Sequence, residues 1–105
     1  MVNKILTAAG VAHRRGRYTG KAKNYAVWMD DQTTQGADGQ PQLLVRHDIT
    51  VELYEGTPDD AIEAAIEAAI AAEGLQYTKQ DRYWLATEQM YQVIYEFTYF
   101  EKRRA

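Results

Sequence analysis

The stretch "ATEQMYQVIYEFTYFEK", residues 86–102, alternates in character along its length. Every second residue from Tyr91 gives Tyr91, Val93, Tyr95, Phe97 and Tyr99, while the intervening set is Gln92, Ile94, Glu96, Thr98 and Phe100. One set is wholly apolar or aromatic. A period of two marks a strand with one face buried and the other partly solvated. Three uses suit a strand this aromatic: stacking nucleic-acid bases, lining a ligand pocket, or packing a core.

Upstream of it, "LLVRHDITVELYE" (43–55) repeats the pattern and predicts a second long, half-buried strand, with Leu43, Val45, His47, Ile49, Val51 and Leu53 on one face. "YAVWMDD" (25–31) is aromatic and β-branched and reads as a third strand. Between them "QTTQGADGQPQ" (32–42) holds two glycines, a proline and hardly any apolar side chain, which predicts a flexible loop. After the second strand, Thr57 is placed to cap a helix that begins at Pro58, with Asp60 three positions beyond the cap. In that helix Ile62, Ile66 and Ile70 recur at every fourth position, and Glu63, Glu67 and Glu73 lie off the stripe. Gly74 ends it. A short helix over 2–9 ends at Gly10, and 75–85 supplies one or two short strands before a turn at "ATE".

The order α, β, loop, β, α, β, β predicts an α+β fold over one domain, residues 1–105: a mainly antiparallel sheet with one long and one short helix packed on one face. The slim Ile and Ala face of the helix meets Val51, Leu53, Tyr91, Tyr95 and Phe97, which with Ile62, Ile66 and Ile70 form the expected core. Each large side chain buried there contributes about 1.5–3 kcal/mol, so core packing alone accounts for the aromatic strand.

Length, 105 residues, fits one domain, and 46% apolar with 26% charged residues is ordinary for a globular chain. No run is long enough to span a bilayer and the N-terminus lacks the apolar stretch of a signal peptide, so a cytosolic chain is expected. There is no cysteine, which removes thiolate nucleophiles, disulfides and cysteine metal sites together. The net charge of −3 is unevenly spread: Met1 to Asn24 carries six bases (Lys4, Arg14, Arg15, Arg17, Lys21, Lys23) and no acid, and the remainder carries six bases and fifteen acids. A basic arm on an acidic body suits docking onto an acidic face of a neighbour, and it also suits nucleic acid. Base stacking on the terminal strand is disfavoured, because its flanking charges are Glu88, Glu96 and Glu101 until Lys102.

No catalytic constellation emerges. His13 sits in a basic run, and His47 lies on the apolar face of a strand, as a core or edge histidine would. Neither has companions at metal-ligand spacing. Adjacent Asp30 and Asp31 point in different directions, and Asp59 and Asp60 serve a helix start better than an acid–base dyad. "GRYTGK" lacks the leading glycine and the preceding strand of a phosphate loop. No cofactor, metal or catalytic residue is expected.

The ordered set "GRYTGKAKNYAVW" (16–28), "HDITVELYE" (47–55), "PDDAIEAAIEAAI" (58–70) and "YTKQDRYWLATEQMYQVIYEFTY" (77–99) resembles the small tail-completion, or tail-terminator, proteins of tailed phages and prophages of Gram-positive bacteria. The resemblance implies a virion assembly protein, without catalysis, made in the bacterial cytoplasm and carried in the virion tail. Such proteins form a ring, commonly of six copies, that caps the head-proximal end of the tail tube and joins tail to head. Tail-tube and neck proteins are its implied partners; a head–tail connector component is the neighbouring alternative, and a small basic-armed nucleic-acid-binding protein the rival from another class. The residues themselves suggest how copies would meet: Arg14, Arg15, Arg17, Lys21 and Lys23 of one subunit against Glu52, Glu55, Glu63 and Glu67 of the next. Gln35 and Asp38 of the polar loop are candidates to meet a partner.

Overall fold

The computed structural model describes residues 1–36 and 42–104. The element order is α1 (Val2–Ala9), β1 (Ala12–Arg15), β2 (Asn24–Gln35), β3 (Gln42–Glu55), α2 (Asp60–Ala72), β4 (Thr78–Lys79), β5 (Tyr83–Leu85) and β6 (Met90–Arg104). The strands form one sheet in the order β1-β2-β3-β6-β4, with β5 also on β6. All pairings are antiparallel except β1 with β2, so the α+β fold expected from the alternation is the fold observed.

Both helices lie on one face of the sheet. Val2, Ile5 and Leu6 of α1 and Ile66 and Ile70 of α2 share one core with Ala26 and Trp28, with Ile49, Val51 and Leu53, and with Val93, Tyr95 and Phe97. The register explains the membership: Ala26, Leu53 and Val93 lie abreast across three strands, as do Trp28, Val51 and Tyr95, so their side chains leave on the same face. Two expected core residues sit differently. Ile62 is only partly buried against the core. Tyr91 is also half-buried: it is at the end of β6, where it meets Trp84 of β5 edge-on at 4.8 Å, and it is not part of the central cluster.

The helix caps divide into one agreement and one correction. Gly10 adopts φ 75° and its amide donates to the Thr7 carbonyl at 3.0 Å, and Gly74 ends α2 at φ 74°. At the other end of α2, however, Asp59 and not Thr57 is the cap, its carboxylate accepting from the Ile62 amide at 3.1 Å.

The loop expected over 32–42 is shorter than its composition suggests. Gln32–Gln35 continue β2 and pair with His47, Arg46, Val45 and Leu44, and Gln42 already belongs to β3; Asp38 lies outside the described residues. A fourteen-residue strand such as β3 extends about 46 Å, whereas the thirteen residues of α2 cover about 20 Å. A large part of the sheet therefore extends past the end of α2. In that part β2, β3 and β6 run as three long strands, since β1 pairs only with residues 25–28 of β2 and β4 and β5 only with residues 90–96 of β6.

Candidate assembly surface

The basic segment is less free than an arm. Ala12–Arg15 forms β1, parallel to β2, and the Gly16 amide donates to the Trp28 carbonyl at 2.9 Å. Arg15 lays its guanidinium 5.3 Å over the Trp28 ring. Beyond it Tyr18 stacks on Tyr25 (4.5 Å), Tyr25 stacks on Tyr54 (5.2 Å), and the Tyr18 hydroxyl accepts from the Ala22 amide. Arg14, Arg15, Arg17, Lys21 and Lys23 are nonetheless all exposed, so the positive charge is fixed to the sheet edge and faces solvent.

The acidic residues expected to receive it are arranged otherwise. Glu55 is 0% and Glu63 5% exposed, so neither is available to a neighbouring subunit. Both are tied inside the molecule by Arg82, whose Nε lies 3.3 Å from Glu55 Oε1 and whose Nη2 lies 2.6 Å from Glu63 Oε2 and 2.7 Å from Asp60 Oδ1. Lys79 Nζ bridges Glu63 (3.0 Å) and Glu67 (2.9 Å), and the hydroxyls of Tyr95 and Tyr77 donate to Glu67 at 2.8 and 3.1 Å. Glu67 thus has both oxygens engaged at the junction of helix and sheet. Glu52 is half-buried and accepts from Gln92 at 3.1 Å.

Burial, with Glu63 close by, pushes the Glu55 carboxyl up to about 7, against the opposing effects of the Asp59 amide and Arg82. At Glu63 burial acts upward too, but the hydrogen bonds from Arg82 and Lys79 outweigh it and hold the carboxyl below its ordinary value. Of the two carboxyls, Glu55 is therefore the one that takes up a proton more readily. Glu63 and Glu67, which by residue type suggest a solvated face, instead belong to an internal network that joins α2 to β3, β4 and β6, with Glu63 buried and Glu67 partly so.

His47 is the second buried polar centre. It is 4% exposed, stacks face to face on Tyr99 at 4.4 Å, and is hydrogen-bonded at both ring nitrogens: Nδ1 to Asp30 at 2.8 Å and Nε2 to Glu101 at 2.8 Å. Burial lowers its pKa, but the bonds to Glu101 and Asp30 raise it further than burial lowers it. When protonated, the ring donates both N–H groups, to Asp30 and to Glu101, and ties β2, β3 and β6 together across the three-stranded part of the sheet. A folded-state pKa above the unfolded value, about 6.5, means that stability from this tie is complete below that pH and is lost as pH rises through the folded value. His47 ring resonances followed by NMR are therefore expected to titrate above pH 6.5. His47→Gln is expected to lower Tm at pH 6 and to have a smaller effect at pH 9; equal effects at both values would show that the ring is neutral throughout.

Two open grooves flank the sheet. One, of about 430 Å³, opens where β4 leaves β6, between Gln76–Thr78 and Glu96–Thr98. The other, of about 370 Å³, lies over the Tyr25 and Tyr54 rings with Arg17, Glu52 and Glu88 around it. Among the described residues no helix is long and apolar enough to cross a membrane.

No protein-family model matches the chain, and no curated protein matches it. Among solved structures it is similar to a chain from the virion of a native gene transfer agent particle, with a TM-score of 0.58 and 15% identity over 95% of this chain and 83% of that one. At that identity the likeness is one of fold, and it covers nearly the whole of this chain.

Proposed function

We propose that the protein is a structural component of a tailed phage-like particle, a tail-terminator or tail-completion protein that caps the tail tube and joins tail to head, and that it has no catalytic role. The observation that carries the reading is the chain-long likeness of fold to a virion protein. The ordered sequence segments that resemble tail-completion proteins support it independently, because they supply the finer assignment within virion proteins. The chain acts as a ring of copies whose surfaces meet the tube on one side and the neck on the other. Such a ring needs rigid subunits. The buried Arg82 network and the His47 tie hold helix to sheet and strand to strand, so the contact surfaces keep their relative positions.

Deletion of the gene in a producing strain tests this reading. The expected result under the electron microscope is filled heads accompanied by unattached tails, or tails of uncontrolled length, with infectivity down by several orders of magnitude and restored by a plasmid copy. Normal particles at normal yield would overturn it. Joined tails of normal length on heads that leak DNA would favour a connector role instead.

A further inference from the structure

The three-stranded part of the sheet has two free edges, and hydrogen-bond parity shows which groups they offer. In a strand, the N–H and C=O of one residue point to the same edge and successive residues alternate. The Ile94 carbonyl accepts from Gln80, on the β4 side of β6, so Ile94, Glu96, Thr98, Phe100, Lys102 and Arg104 present their backbone groups to that side. β4 reaches only Glu96. From Thr98 to Arg104 no strand among the described residues pairs on that side. On the opposite edge the Trp28 carbonyl accepts from Gly16, on the β1 side of β2, so Asp30, Gln32 and Thr34 present theirs outward as well. β1 ends at Trp28, and from Met29 to Gln35 that edge too has no strand partner among the described residues.

Unpaired edges of this length are templates for another strand. These two match each other. Each has seven residues, or about 23 Å of strand. Met29–Gln35 carries no base and two carboxylates, of which Asp30 is held by His47 and Asp31 is exposed; Thr98–Arg104 carries three exposed bases and one carboxylate, Glu101, which is bound to His47 and Arg103. Phe100, 57% exposed at the β6 edge, would be covered by a strand laid beside it.

The geometry points to a second copy of this chain as the occupant: the β6 edge of one subunit pairs with the β2 edge of the next. Because β2 and β6 are both antiparallel to β3, they run in the same direction. Copies related by rotation about an axis close to the strand direction keep that direction, so in such a ring the new pairing is parallel. The contact is heterologous, and it propagates until the rotation closes into a ring. The inference rests on the ring proposed above and supplies its joint.

Prolines test it, because they remove an amide that points outward without touching the bonds to β3. Gln32→Pro disables the β2 edge and Phe100→Pro the β6 edge. Native mass spectrometry is expected to show closed rings for wild type and monomers for either variant, each melting within a few degrees of wild type. Mixed together, the variants retain one good edge of each kind and are expected to give a one-to-one heterodimer and nothing larger. Rings from either variant, or monomers from wild type at the highest workable concentration, would overturn the inference.

Should a proline variant fail to fold, disulfide trapping decides, since the chain has no cysteine of its own. Thr33→Cys is combined in turn with Thr98→Cys, Phe100→Cys and Lys102→Cys, all on the sheet face opposite the helices. Within one subunit β3 separates the two strands, too far for a disulfide. Oxidation is expected to give a covalent ladder for at least one pair, and no ladder from any of the three overturns the inference. The outcomes stay separate from those of the gene deletion: normal rings with unaffected tails would sink the function and leave the joint, while failed tails with no edge pairing would do the reverse.

Discussion

Ile66→Asp is expected to unfold the protein. Ile66 is 0% exposed, flanked on the stripe by Ile70, and packs into the single cluster that contains both helices and three strands. A carboxylate there has no cation to pair with, since Arg82 and Lys79 are already committed to Glu55, Glu63 and Glu67. The loss of a buried aliphatic chain and the desolvation of a charge together cost several kcal/mol, comparable with the ~5–15 kcal/mol that holds a domain of this size together. Circular dichroism should show loss of the cooperative thermal transition. A variant that still melts cooperatively within a few degrees of wild type would mean that α2 does not pack on the sheet through this stripe.

Arg82→Leu is expected to cost about 3 kcal/mol, toward the low end for stripping a partner from a buried charge, because Lys79 still holds Glu63. The deficit should depend on pH with a definite sign. Without Arg82 the Glu63 carboxylate is the group left short of a partner, and its protonation relieves the strain, so the variant should recover part of its loss as pH falls from 8 to 5. Glu63→Gln in the Arg82→Leu background should recover part of the loss at pH 8 as well. Chemical denaturation at the two pH values measures both effects, and a deficit unchanged with pH and unrescued by Glu63→Gln would show that Arg82 does not neutralise Glu63.

The long strands and their buried faces are legible in the sequence because β3 and β6 alternate, and a period of two puts one set of residues on one face. The strand ends are less so. Gln32–Gln35 are polar on both faces and read as loop from composition, yet they are held in β2 by pairing with β3, a tertiary constraint that no local pattern carries. β1 is hidden for a related reason: "AHRR" has no alternation, and its place depends on a parallel partner a dozen residues away. The expected subunit surface is the least legible part. Glu55 and Glu63 look solvated by residue type, and only the placement of Arg82, nineteen residues beyond Glu63, shows that their charge is consumed internally. A signal is present in the helix itself, since Glu63 lies three positions before Ile66 and four before Glu67, close to the buried stripe. Alternation puts His47 on an inward face, where the structure has it, while its two carboxylate partners, on strands far apart in sequence, become visible only once the sheet is assembled.

Whether this chain caps a tail is decided by cryo-electron microscopy of intact particles from a producing strain. A ring built from copies of this chain is expected at the head-proximal end of the tail tube, between tube and neck, with each three-stranded sheet edge against its neighbour. Density at that position accounted for wholly by other chains, with no peptide of this protein detected by mass spectrometry in the purified particles, would contradict it.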